Sequence, residues 1–140
     1  TATPQRNPSD FTPELSRRAR GVEVWAALRH LGRDGVADLV ARCCRHARQF
    51  ARALADAGFE ILNDVVLNQV LVRFHHGHGG DPDAHTRDVV ARIQADGTAW
   101  LGATTWHGKA AMRISVSNWS TTEADADRAV DAILRCAADA

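Results

Sequence analysis

The sequence predicts an α+β fold: a mostly antiparallel sheet of three to four strands covered by helices on one face, in the order α-α-β-β-α-β-β-α. Three observations predict it. Two long stretches with apolar residues at helical spacing open the chain. Short β-branched runs then come in two pairs, each split by turn residues. A helix-period segment follows each pair, which places helices against a single sheet. With 140 residues, 45% of them apolar, the chain has enough material for one real core.

Residues 1–11 carry two prolines, an Asn and an Asp without period. They read as an extended lead-in, which leaves 12–140 as the domain. Thr12, Pro13 and Glu14 form a helix start: a capping hydroxyl, a proline in the first turn and an acid at the positive dipole end. Leu15, Ala19, Val22, Trp25, Ala26 and Leu28 continue that helix to Gly32, although Gly21 within it costs up to ~1 kcal/mol against Ala. A second, longer helix runs from about Gly35 to Ala57. Its stripe is Val36, Leu39, Val40, Cys43, Ala47, Phe50, Ala51 and Leu54, and Gly58 stops it.

FEIL (59–62) and VVLNQVLVRF (65–74) follow as strands about an Asn63-Asp64 turn. The glycine-rich loop HHGHGGDPD (75–83) ends at Asp83, which can cap a helix whose Val89, Val90 and Ile93 face inward and which Gly97 ends. TAWLGATTW (98–106) and AAMRISVS (110–117) flank His107-Gly108-Lys109, which is hairpin spacing. Thr121 or Thr122 caps a final helix carrying Ala126, Ala129, Val130, Ile133, Leu134 and Ala137. Ser120 with Glu123, or Thr122 with Asp125, approximates a capping box there.

Acids and bases balance at seventeen each, which argues against the basic footprint of a nucleic-acid partner. No apolar run approaches the ~20 residues of a bilayer span, so no membrane is expected. The opening TATPQRNPSD has no apolar stretch of signal-peptide type, and the expected location is the cytoplasm. The three cysteines include the neighbours Cys43 and Cys44, which point about 100° apart on a helix. Reduced core thiols fit that arrangement.

Few constellations carry chemistry by themselves. His75, His76 and His78 could ligate zinc in principle. They lack a Cys pair or a fixed helical spacing, so a solvated loop is expected and no metal. No serine occupies a nucleophile elbow, and the glycines form no phosphate loop. Phe11, Trp25, Trp100, Trp106 and Trp119 are not interleaved with a basic strand face, as an RNA platform would require. Arg17, Arg18 and Arg20 cluster at a helix start and read as a solvated or interface face. In MRISVS (112–117), alternation puts Met112, Ile114 and Val116 on one face and Arg113, Ser115 and Ser117 on the other. An arginine at the centre of a strand face has two readings. It makes a structural ion pair, or it binds a carboxylate.

Two segments carry a resemblance. FTPELSRRARGVEVWAALRHLG (11–32), followed by a long amphipathic helix, resembles the start of the C-terminal region of the group II pyridoxal-phosphate-dependent amino-acid decarboxylases, the family of the aromatic-L-amino-acid and glutamate decarboxylases. MRISVSNWSTTEADADRAV (112–130) resembles that family's closing strand and helix, and LNQVLVRF (67–74) fits the strand between. The similarity spans residues 7 to 138 in the right order. It implies the small C-terminal domain of a fold-type-I enzyme, a carboxy-lyase that is expected to be a homodimer and to use pyridoxal phosphate.

In that family the lysine that holds the cofactor and the aspartate that pairs with its pyridinium nitrogen lie upstream, in a large domain. Lys109, the sole lysine here, sits in the expected hairpin turn and matches no such motif. The resemblance therefore places no catalytic residue in this chain, gives no cofactor-binding residue, and implies that the chain alone is inactive. It makes Arg113 a substrate-binding residue, because glutamate decarboxylases hold a substrate carboxylate with the matching arginine. Trp119 follows Ser117-Asn118 where those enzymes resemble Ser-Asn-Pro, which makes an aromatic amino acid the expected substrate. The competing reading is a stand-alone ferredoxin-like regulatory or ligand-binding module, which β-β-α-β-β-α from residue 59 onward also resembles.

Overall fold

A computed structural model of the protein describes residues 18–75 and 80–138, in two units, 1–36 and 37–140. Helix α1 (Gly21–Asp56) carries both of the expected helical stretches. It breaks where the sequence places a glycine: Gly32 sits at φ 64 and ψ −172, a conformation open to a residue without Cβ. The expected start at Thr12 and the lead-in over residues 1–11 lie outside the described residues. Within the first unit Val22, Trp25 and Leu28 are exposed, and Arg18 pairs with Glu23.

In the second unit α1 buries Cys43, Ala47, Phe50 and Leu54, one residue per helical turn. Leu39 is half-buried, while Val40, counted in the stripe by its spacing, is exposed. There follow β1 (Glu60–Ile61), β2 (Gln69–Arg73), α2 (Pro82–Asp96), β3 (Gly102–Trp106), β4 (Lys109–Ser115) and α3 (Glu123–Ala138). The strands form one antiparallel sheet in the order β1-β2-β4-β3. One sheet face supplies Val70, Val72, Phe74, Met112 and Ile114 to a single core. Phe50 and Leu54 of α1, Val89 and Ile93 of α2, and Ala126 and Ile133 of α3 join it there. The α+β class, the element order and the helices on one face are as the sequence predicts. The three cysteines are free and buried.

Strand β3 starts at Gly102 and not at Thr98, and four further local details differ from the sequence reading, each for a visible reason. First, β2 starts at Gln69 and not at Val65. The Asn63 side chain accepts from Leu71 N at 2.7 Å and donates to Gln69 O at 3.1 Å, taking ladder groups that a tight turn would have left to the strand. Val66 and Leu67 are left exposed outside the sheet.

Second, α2 is capped by Asp81, whose carboxylate accepts from Asp83 N at 2.9 Å, with Pro82 opening the helix. Asp83 is released for other partners. Third, the β3–β4 turn is the two residues His107 and Gly108, both at positive φ, the pattern of a primed hairpin turn. Lys109 is thereby the first residue of β4, opposite Trp106, and not a turn residue. Fourth, of the two capping boxes only the Thr122–Asp125 pair forms. Thr122 N donates to Asp125 Oδ2 at 2.8 Å and Asp125 N donates to Thr122 Oγ1 at 3.2 Å.

A buried contact helps to fix α2 on the sheet. Thr86, 1% exposed, accepts from Phe74 N at 3.1 Å and donates to Phe74 O at 3.3 Å. Both groups lie just past the end of β2, where no strand neighbour serves them, so the hydroxyl replaces the missing ladder partner.

Candidate functional site

With three helices on one face, the other face of the sheet carries no helix among the described residues, and Arg113 stands on it. Alternation brings Lys109, Ala111, Arg113 and Ser115 of β4 to this face. Register adds their neighbours: Leu71 of β2 lies directly opposite Arg113 on one flank, and Gly102 of β3 on the other. Leu71 is 7% and Ala111 1% exposed, so the small and apolar positions of this face are already filled in. Arg113 itself is exposed. Its guanidinium makes no ion pair among the described residues. A Cβ built on Gly102 would stand 3.9 Å from Arg113 Nη2, which places the guanidinium over the bare backbone of β3.

The opposite end of the same face is ionic. Glu60, opposite Arg73 in register, meets His75 Nε2 at 2.9 Å and Lys109 Nζ at 3.3 Å. Partial burial raises the Glu60 carboxyl, but the hydrogen bonds and charges of His75 and Lys109 outweigh it and hold the group below the usual glutamate range. Arg73 is engaged separately, its Nη2 donating to Asp83 Oδ1 at 2.6 Å. Of the histidines considered for a metal, His75 is thus a partner of Glu60, and His76 and His78 lie outside the described residues. Among the described residues no group of three His, Cys, Asp or Glu is placed to hold a metal ion.

Beyond β4 the motif turns structural. Asn118 Oδ1 accepts from both the N and Oγ of Ser120 at 3.2 Å, which turns the chain toward α3. Trp119 projects its ring into solvent while its carbonyl accepts from Arg42 Nη1 at 3.2 Å. A shallow pocket opens where β4 ends, lined among others by Phe50, Leu101, Val116, Ser117 and Asp125. Asp125 is occupied by Thr122 and Arg128, and its carboxyl is held below the usual range first by the Thr122 hydrogen bonds and then by the arginine.

The residues present do not fit a covalently held cofactor. A Schiff-base lysine is activated by desolvation or a cationic neighbour, and Lys109, the sole lysine, is half exposed and paired with the carboxylate of Glu60. What this face offers chemically is one exposed guanidinium without an ion-pair partner among the described residues, a group able to donate two parallel hydrogen bonds to a carboxylate. The sequence showed Arg113 by alternation. It did not show Gly102, Leu71 or Glu60, whose roles depend on strand register.

No protein-family profile matches the chain. It is 25% identical over 120 residues to tyrosine decarboxylase 2 of Arabidopsis thaliana, covering 84% of this chain and 22% of that protein. A structure of Oryza sativa TDC with PLP and tryptamine superposes with a TM-score of 0.80 at 21% identity, over 95% of this chain and 29% of that one. Catharanthus roseus tryptophan decarboxylase, in complex with L-tryptophan, gives 0.77 at 20% identity, over 89% of this chain and 27% of that one. The chain thus spans less than a third of the length of the proteins it matches. In sequence and in fold it is similar to the C-terminal small domain of the group II pyridoxal-phosphate-dependent amino-acid decarboxylases.

Proposed function

We propose that this chain is the C-terminal part of a pyridoxal-phosphate-dependent amino-acid decarboxylase, a carboxy-lyase acting on aromatic L-amino acids. It supplies substrate-side and subunit-interface contacts in a homodimeric cytoplasmic enzyme. The cofactor is held by a lysine of the large domain and not by Lys109, so the chain alone is inactive. The similarity to a tyrosine decarboxylase and to a tryptophan decarboxylase supports the aromatic substrate.

The observation that carries the site is Arg113, exposed at the centre of the open sheet face and without an ion-pair partner among the described residues. A structural arginine would be expected to have one. Held in place, a guanidinium can orient a substrate carboxylate, and orientation matters because decarboxylation needs the scissile bond perpendicular to the cofactor ring.

The test is Arg113→Met in the complete enzyme. Loss of one charge-assisted contact, worth ~1.5–3 kcal/mol, lowers kcat/KM about 10- to 150-fold with melting temperature unchanged. Unchanged kinetics with a large fall in melting temperature would make the arginine structural and sink this reading.

A further inference from the structure

Gly102 is a costly residue for its position. Glycine in a strand gives up side-chain packing and loses more backbone entropy than any other residue. The usual reason for accepting that loss is a left-handed backbone, and Gly102 is not among the glycines at positive φ. Crowding by the fold is not the reason either. The single heavy atom within 4 Å of a Cβ built there is Arg113 Nη2, at 3.9 Å. The bare position therefore relates to one side chain.

The other flank of Arg113 is closed. Leu71 stands directly opposite on β2 and is 7% exposed, so that flank carries a buried side chain. Arg113 thus has an isobutyl group on one side and no side chain on the other, and its guanidinium lies on the empty side. Because β3 is the outer strand of the sheet, that side leads to the sheet edge.

We propose that Gly102 is the positioning residue for Arg113: by leaving the β3 surface bare opposite a blocking Leu71, it lays the guanidinium across the outer strand, so that the substrate carboxylate is met at the β3 edge. This rests on the reading of Arg113 as the carboxylate-binding residue and adds the direction from which the substrate comes. A methyl group at position 102 makes ordinary contact at 3.9 Å and leaves the guanidinium in place. A branched side chain fills the space and turns it away.

The experiment compares Gly102→Ala, Gly102→Val, Arg113→Met and the Gly102→Val/Arg113→Met double variant in the complete enzyme. It measures KM and kcat for the amino acid, and the inhibition constant of the amine product, which lacks the carboxylate. Gly102→Ala is expected to stay within about twofold of the parent. Gly102→Val is expected to raise KM at least tenfold and to leave amine inhibition unchanged. In the Arg113→Met background Gly102→Val is expected to cost nothing more, since the group it displaces is gone.

Additive effects in the double variant, or equal losses for amino acid and amine, overturn the proposal. If Arg113→Met leaves kcat/KM unchanged, the reading of Arg113 itself fails, whatever Gly102 does. If Arg113→Met raises KM and Gly102→Val does not, only the positioning role fails. Should Gly102→Val not fold, Gly102→Thr repeats the test with a side chain of the same branching.

Discussion

Asp83 Oδ1 accepts from Arg73 Nη2 at 2.6 Å and from Ala110 N at 3.1 Å, so one carboxylate oxygen joins the end of β2, the start of β4 and the first turn of α2. The two side chains are 13% and 25% exposed, in contrast to the open ion pairs elsewhere on the surface. Removing the carboxylate leaves a largely buried guanidinium without its partner and a strand N–H without an acceptor. Asp83→Ala is expected to destabilise by about 2–4 kcal/mol. Asp83→Asn keeps an acceptor for Ala110 and is expected to cost less. Urea denaturation of both variants checks the order, and equal losses would contradict the dual role.

Phe50 is 5% exposed in the core cluster with Ile114 and Ala126. Phe50→Ala is expected to cost ~3–5 kcal/mol. A loss below ~1 kcal/mol in equilibrium unfolding would mean that the site collapses around the deletion and that α1 is not anchored there.

Glu60 gives a pH dependence with a definite sign. Its carboxyl is held below the usual glutamate range in the folded chain, so the folded state binds the proton less readily than the unfolded state. Its contribution is therefore complete above the unfolded value and is lost as the pH falls through the lower folded value. Parent and Glu60→Gln are expected to differ in melting temperature at pH 7 and to converge in acid below the usual glutamate range. A difference that persists in acid would show that packing, and not charge, distinguishes them.

Lys109 is expected to form no stable imine with added pyridoxal phosphate, because its side chain is half exposed and paired with Glu60. Absorbance of a Schiff base on this chain, abolished by Lys109→Arg, would show that the lysine is activated and would overturn the domain assignment.

The order of elements was legible because the signals that set it are local. Gly58 and Gly97 end helices, His107-Gly108 turns a hairpin, and Thr122 with Asp125 caps α3. Two of the misread details depend on residues further away along the chain. Asp83 looked like a cap until Arg73 and Ala110 claimed it. VVLNQ looked like strand until Asn63 took the hydrogen bonds of Leu71 and Gln69. The site shows the same limit. Alternation alone puts Arg113 on the face away from Met112, but a three-residue turn would have set Ala103 against it. The two-residue turn sets Gly102 there instead, and a slip of one residue turns each side chain to the other face.

The pairing of β2 with β4 also governs how the chain reaches its native state. The two central strands, joined from Gln69–Ser115 to Val72–Met112, are separated in sequence by all of α2 and the β3–β4 hairpin. The hairpin closes over two residues and can form early, on the microsecond scale of such turns. The central pairing must first meet the entropy of closing a long loop, which docking α2 through Thr86 and Phe74 shortens. That hydroxyl acts together with the Asp83 contacts and the packing of Val89 and Ile93 in docking α2. Until α2 docks, the central pairing is disfavoured, and a nascent chain is most exposed to misassembly during that interval.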